Sequence, residues 1–374
     1  MSQQVLADLS GLSQAYISQI ESGARPLDRR STQLAIARAL NVSICQLTGT
    51  GDDTEDPQRT RLEASIENVR SALAELRLGH AVRPVQDLHA LDAAATEAFR
   101  RRDECDYLAL VDMLPELLRA TGYFRGPSFV QVTVTARGVL YDLGYRDLAA
   151  LAADLGYQAA GDLKDPALRA LAEYSRVLSM SREVTTPALA ATQRAAEELG
   201  PHLNSVASRQ MCVMLHLVSA MIAAEMRDAD LADTHYAEAT AHVRRLPWDE
   251  PDAGGFARVW AGRTNLEFWR LAIAAELRDD TTGRAVIDRS DPGRIPSPSR
   301  QATYHAQRAR FFADLGEDEK AVLAFAEAER IAPLHFRLNA GTQRVARSVL
   351  QRLESAGGNP AVIRLAGTLG AGRR

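Results

Sequence analysis

From Arg61 onward the chain carries an almost unbroken helical period, interrupted only by short polar, turn-like stretches. These are "RRRDECD", "DLGYRD", "SREVTTP", "EMRDAD", "ELRDDT" and "DLGEDE", recurring at intervals of roughly 35 to 50 residues. A helix of such length cannot bury its apolar face alone, so helices separated by short turns must pack as hairpins, and hairpins must stack. The one competing strand signal is "SFVQVTVTA", Ser128 to Ala136, where polar and β-branched residues alternate. It has no partner run and is flanked by helical patterns, so it reads as part of a helix. The expected fold class is all-α.

One hairpin is clearer than the rest. In "ATYHAQRARFFADLGEDEKAVLAFAEAERIAP", from Ala302, the first helix carries Ala309 and Phe312, and Gly316 marks the turn. Ala321, Phe325 and Ala328 follow, and Pro333 stops the second helix. The offsets of the second helix recur at Ala232, Tyr236 and Ala239, so small residues again allow close helix approach while an aromatic fills the gap. Around "DECDYLALVDMLPELLRATGY" the pattern degenerates, with Cys105 where a small turn residue belongs and Pro115 expected to interrupt the helix. The clear unit resembles the tetratricopeptide repeat, and the resemblance implies an α-superhelix over residues 61–374. The order of hairpins is similar to that of actinobacterial regulators whose C-terminal region is such an array, which implies dimerisation or sensing of a small-molecule or peptide effector.

Ahead of the array, residues 49–60 form an acidic linker that begins "GTGDDTEDPQ", and residues 1–48 form a separate short domain. Its opening, "MSQQVLADLSGLSQAYISQIESG", places Ser2 to cap a helix running to about Leu9 and Gly11 at a tight turn. Ser13 then caps a second helix to about Ser22. Ala7 allows the two helices to cross closely, and Ile17 and Ile20 point into a core. Gln14, Ala15, Tyr16 and Gln19 are left facing outward, a set suited to a major groove. A glutamine amide pairs with the N6 and N7 edge of adenine, an alanine methyl meets the thymine methyl, and hydroxyls reach phosphate.

The run "SQQVLADLSGLSQAYISQIESGARP", followed by "LAIARALNVSICQLTG", resembles the helix-turn-helix domain of the XRE family, which includes Cro and lambda-type repressors. The resemblance implies that the second helix enters the major groove, with Gln14, Ala15 and Gln19 at base-reading positions. Gln3, Ser13 and Tyr16 take positions near the backbone, and Arg25 and Arg29 are phosphate partners. It implies double-stranded DNA as partner, a homodimer and a near-palindromic operator. Family members carry a further helix before the one that opens here, so the first helix is expected to be missing and a start codon upstream, or a truncated copy, is expected.

Charge does not argue for or against this. The net charge is −4, and only Lys164 and Lys320 are lysine, so the arginines reflect residue usage rather than a nucleic-acid surface. Residues 1–50 carry Arg25, Arg29, Arg30 and Arg38 against Asp8, Glu21 and Asp28, an excess of one positive charge. Cys45, Cys105 and Cys212 are scattered and form no Cys-x-x-Cys pair, so they read as reduced and structural. His235 and His242 lack the spacing of a metal pair within one helix, and no His-Glu-x-x-His, phosphate loop or nucleophile elbow occurs. The expectation is no enzyme, no metal and no cofactor. No secretory signal opens the chain, and the longest apolar run, Met211 to Met226, is shorter than the ~20 residues a membrane span needs, so a cytoplasmic protein without a membrane partner is expected.

Two apolar stretches remain as weaker candidates. Met211, Met214, Met221 and Met226 with His216 form either an adaptable pocket or a repeat core, and the core is the expected reading. Trp260, Arg263, Asn265 and Trp269, with Phe268 and Arg270, form an aromatic stretch that either lines a ligand groove or packs between hairpins. The function expected overall is DNA-binding transcriptional regulation. Its rival is a tetratricopeptide-type interaction scaffold whose truncated DNA module no longer works.

Overall fold

The computed structural model describes residues 3–21, 32, 35–36, 39–40, 57–80, 87–180, 184–357, 359–360 and 362–363. The described residues are helical, with no strand among them. Backbone contacts divide the chain into two units, Met1–Thr60 and Arg61–Gly372. Ser2, Arg25, Arg29, Cys45 and most of the expected linker lie outside the described residues.

In the first unit, α1 (Gln3–Ser10) and α2 (Gln14–Glu21) are joined by Gly11 at φ +69°. The turn closes through Leu12 N–H donating to the Ala7 carbonyl at 3.1 Å. Ser13 caps α2, its Oγ accepting from the Tyr16 N–H at 3.2 Å. Leu6, Ala7, Ile17 and Ile36 form a small core, with Leu12, Ile20, Ala39 and Leu40 packed around it.

The second unit is a succession of helices in chain order. It starts inside α3 (Pro57–Arg77), from Arg61 on, and continues with α4 (Leu88–Asp103), α5 (Tyr107–Phe124), α6 (Pro127–Asp142), α7 (Arg146–Gly161), α8 (Pro166–Val177) and α9 (Thr185–Leu199). It continues through α10 (Val206–Glu225), α11 (Ala229–Val243), α12 (Arg263–Leu277), α13 (Asp280–Arg289), α14 (Pro298–Asp314), α15 (Asp318–Ile331), α16 (Pro333–Leu338) and α17 (Ala340–Ser355).

Five of its hairpins share one turn. Cys105, Gly144, Arg227, Arg278 and Gly316 all sit at positive φ, between 58° and 88°, just past the end of a helix. In each, the next N–H reaches back to a carbonyl five residues earlier at 2.8–2.9 Å: Asp106 to Arg101, Tyr145 to Leu140, Asp228 to Ala223, Asp279 to Ala274, Glu317 to Phe312. Asp106, Asp228 and Asp279 then cap the following helix with their side chains. Only two of the five left-handed positions hold glycine. A Cβ there costs about 1 kcal/mol, which the helix packing on both sides offsets, so the hairpin persists where the glycine signal is lost. Cys105 thus occupies the same turn position as Gly316.

Two sequence expectations need correction. Pro115 does not interrupt a helix: α5 runs through it from Tyr107 to Phe124. Proline there removes one backbone donor, but Leu110, Leu114, Leu117 and Leu118 around it are buried, and that packing outweighs the local penalty of about 3 kcal/mol. All but the last residue of the apolar run Met211 to Met226 lies in α10, whose 20 residues reach the length and apolar composition of a membrane span. Its apolar window is 72% buried inside the protein, so α10 is a core helix packed against α8, α9, α11 and α12.

The alternating stretch Ser128 to Ala136 lies in α6, as the flanking pattern requires, and it is buried on nearly every side. That burial explains the strand-like composition, since a helix covered all round needs no polar face. Its threonines satisfy their hydroxyls within the helix, Thr133 donating to the Val130 carbonyl at 2.8 Å and Thr135 to Gln131 at 3.0 Å. In the clearest repeat, Ala309, Ala321, Phe325 and Ala328 are buried between α14 and α15, and Pro333 opens α16. Ala232 and Ala239 are likewise buried in α11.

Candidate functional sites

On the first unit the geometry follows from burial. Ile17 is 1% exposed and fixes the inner face of α2, which turns Gln14, Ala15, Ser18 and Gln19 outward and leaves Tyr16 half-buried. Gln14 and Ala15 occupy the first turn of α2 directly after the Ser13 cap, and Gln19 lies one turn further along. Gln3 is committed to a partner within the domain, its amide donating to the Glu21 carboxylate at 2.7 Å, which ties the start of α1 to the end of α2. Gln3 and Ser13 therefore hold the two helices in their relative setting, whatever else they touch.

In the second unit, the four residues of the aromatic stretch do not converge on one groove. Trp260 is 2% exposed and adopts φ +55°, its indole N–H donating to Asp103 at 3.0 Å. Asn265 is fully buried, with its amide against the Val259 carbonyl at 3.5 Å and the Met214 sulfur at 3.8 Å, and it accepts from Arg300. Trp269, one helical turn from Asn265, is half-buried against the main core. Arg263 is exposed, pairs with Asp249 at 3.3 Å, and lines a surface cavity of about 560 Å³ with Tyr236, Trp248 and Arg244. Arg263 and Asn265, two residues apart on α12, point apart, and Trp260 precedes the helix, so sequence proximity did not become a shared surface.

Trp260 and Asn265 belong instead to a buried polar seam that sequence reasoning missed. Asp103, 6% exposed, accepts from Arg258 Nε at 2.8 Å, Trp260 Nε1 at 3.0 Å and Ser297 Oγ at 3.1 Å. These partners lie 155 to 194 residues away in sequence. Beside it, Arg137 donates to Ser175 Oγ at 3.3 Å, and burial pulls its guanidinium down to about 10. Burial also lowers Arg300. Arg102 lies 3.9 Å from Asp142, and its Nε has no hydrogen-bond partner among the described residues. Tyr107 is fully buried, and its hydroxyl lies 2.6 Å from His335 Nδ1 and donates to Asp142 at 3.1 Å. Burial lowers His335 and raises the Cys105 thiol to about 12.

A second cluster forms where α10 packs on α11. Cys212 and His216, four residues apart, share one face of α10, and His235 and His242, seven apart, share one face of α11. Cys212 Sγ lies 3.4 Å from His242 Nε2, and His216 Nδ1 lies 3.1 Å from His235 Nδ1. The His216 and His242 rings stack at 5.8 Å with 17° between their planes. Gln193 Nε2 is 3.2 Å from His235 Nε2; an amide N–H only donates, so His235 accepts there and offers its Nδ1–H to His216. Burial, reinforced by the two neighbouring imidazoles, lowers His216 to about 4, and burial lowers His235 and His242 as well. Burial raises the Cys212 thiol to about 11. The spacing within α11 alone gave no sign of this cluster, because half of its members lie on the preceding helix. The legible signal was Cys-x-x-x-His on one helix followed by two histidines two turns apart on the next.

Of the methionines expected around His216, Met211 and Met214 are buried in the core, but Met226 is 40% exposed beyond the end of α10.

No curated protein and no solved structure matches the chain. Residues 1–49 match the family model described as a helix-turn-helix domain, so the turn at Gly11, the cap at Ser13 and the outward face of α2 belong to a helix-turn-helix domain.

Proposed function

We propose that the protein is a DNA-binding transcriptional regulator of the XRE type that reads double-stranded DNA with α2. Gln14, Ala15 and Gln19 read base edges in the major groove, and Ser13 and Tyr16 approach the backbone with Arg25 and Arg29. The observation that carries this reading is the outward, solvent-exposed face Gln14–Ala15–Gln19 on a helix capped at its start and locked from behind by Ile17. The tetratricopeptide-like helical unit supplies dimerisation, effector sensing by a small molecule or peptide, or both. Two copies then meet two half-sites one helical turn apart, roughly 34–36 Å, on a near-palindromic operator. Such a partner places the protein in the cytoplasm.

The test is a gel-shift titration over the gene's own upstream region at stated salt, because phosphate contacts make affinity salt-dependent. Gln14→Ala with Gln19→Ala is expected to remove about 1–3 kcal/mol of base discrimination for each glutamine pair lost, while non-specific binding stays. Specific binding that survives the double substitution would defeat the assigned reading face.

A further inference from the structure

We propose that Cys212, His216 and His242 form a binding site for a transition-metal ion of the zinc class, built into the α10–α11 hairpin and independent of the DNA reading. One donor atom from each of these residues lies within 4.8 Å of the other two. The Cys212 Sγ to His242 Nε2 separation of 3.4 Å is already close to an edge of a tetrahedral set, roughly 3.3–3.6 Å for Zn–N near 2.0–2.1 Å and Zn–S near 2.3 Å. From an edge of at most 4.8 Å, a contraction of up to roughly 1.2–1.5 Å completes the set, within reach of side-chain rotation on two helices that already touch.

The hydrogen bonding of His242 points the same way. Its ring is buried, its Nε2 meets only the Cys212 sulfur, a weak partner, and its Nδ1 has no hydrogen-bond partner among the described residues. Burying an imidazole so poorly satisfied is costly, and a bound ion supplies the strong partner that the protein does not. His216 is held differently: its Nδ1 lies 3.1 Å from His235 Nδ1, so with an ion on Nε2 it carries its proton on Nδ1 and donates to His235, reversing the metal-free direction, while His235 Nε2–H turns to the oxygen of a flipped Gln193 amide, the outer partnership of a metal-bound histidine. Of the two arginines that act on His242, Arg209 and Arg245, Arg209 is turned toward the Leu203 carbonyl.

The donor set defines the class of ion. One thiolate and two neutral imidazoles suit zinc, cobalt, nickel or copper and exclude magnesium and calcium, which take oxygen ligands. Three protein donors leave a fourth position for water or an exogenous ligand, the arrangement of an exchangeable rather than a closed structural site. On binding, the Cys212 thiol gives up its proton to solvent and a sulfur–metal bond forms; no redox change is involved.

The experiment is a Co²⁺ titration of the full chain after chelator treatment, read by absorption and followed by competition with Zn²⁺. The expected result is one Co²⁺ per chain, a thiolate-to-cobalt charge-transfer band, tetrahedral d–d bands, loss of all of them on adding Zn²⁺, and no response to Mg²⁺ or Ca²⁺. Cys212→Ser is expected to abolish the charge-transfer band, whereas Cys105→Ser and Cys45→Ser retain it. His242→Gln removes a donor and is expected to weaken binding by at least a hundred-fold; His235→Ala weakens it by roughly 10–100-fold. Far-UV circular dichroism checks each variant's fold, and the wild-type spectrum decides the matter even if a variant unfolds. No cobalt spectrum in the wild type, or a charge-transfer band that persists in folded Cys212→Ser, overturns the site.

Discussion

Replacing Asp103 by alanine tests the idea that a buried carboxylate holds the helical unit together across sequence separations of 155 to 194 residues. The carboxylate accepts from Arg258 at 2.8 Å, Trp260 at 3.0 Å and Ser297 at 3.1 Å, so the substitution strands a guanidinium, an indole N–H and a hydroxyl together. Ser297 is fully buried, Trp260 nearly so, and the Arg258 side chain is 21% exposed, so water reaches the three donors poorly. Removing one partner of a buried ion pair costs about 3–5 kcal/mol, and each further unsatisfied donor about 1–3 kcal/mol. Partial rehydration of Arg258 offsets part of this, and an expected loss of about 3–5 kcal/mol results. Asp103→Asn keeps the volume and one acceptor and is expected to lose about half as much. The assay is urea unfolding followed by tryptophan fluorescence and by circular dichroism, with the midpoint falling and the slope unchanged. A loss below about 1 kcal/mol for Asp103→Ala would refute the reasoning, because the three donors would then have been satisfied without the carboxylate. A double-mutant cycle with Arg258→Met isolates the pairwise part, and a coupling near zero would assign the cost to Trp260 and Ser297 instead.

Three further perturbations follow from the packing and capping. At Gly283 an added Cβ would stand 2.1 Å from the ring of buried Phe311, so Gly283→Ala is expected to destabilise the α13–α14 contact by about 1–3 kcal/mol, read as a lowered urea midpoint; a neutral result would mean that Phe311 can move aside. Ser13→Ala removes the cap on α2 and is expected to cost the first unit about 1 kcal/mol, seen as reduced helicity and weaker DNA binding together; weaker binding without any loss of helicity would instead make Ser13 a direct DNA contact. His305 and His335 are both lowered by burial, so the folded chain binds fewer protons than the unfolded chain below the free imidazole value of about 6.5. Their contribution to stability is therefore complete above pH ~6.5 and declines as pH falls through the depressed folded values. His335→Gln retains an amide for Tyr107 and is expected to flatten the melting temperature between pH 5 and 7, approximately the window in which a free imidazole titrates; an unchanged slope would sink the assignment to His335.

Local chemistry was legible before any tertiary structure was known. The spacing of Ala7, Gly11, Ser13 and Ile17 specified a capped helical hairpin, because turn handedness, capping and helical period act over a few residues. The same locality made Ala309, Gly316, Ala321 and Phe325 readable as a stacking unit. It misled at Pro115, where a local penalty was outweighed by long-range packing, and at Cys105, where a left-handed turn survived the loss of glycine.

The buried polar clusters of the helical unit could not be assembled from the sequence for a different reason. Asp103 meets Trp260 and Ser297 only because α4 and the segments around α12 and α14 come together in space, and no periodicity encodes a contact over 157 or 194 residues. Cys212 and His216 join His242 only once α10 and α11 have folded against each other, which the rotational setting of two helices decides. The sequence by itself determined helices, turns, caps and the outward residues of α2, all set by neighbours within a turn or two. Tertiary structure alone decided that Trp260 and Asn265 face a polar interior, that Arg263 faces solvent, and that a cysteine and two histidines on separate helices converge, because side-chain direction across a packed interface depends on the crossing of whole helices.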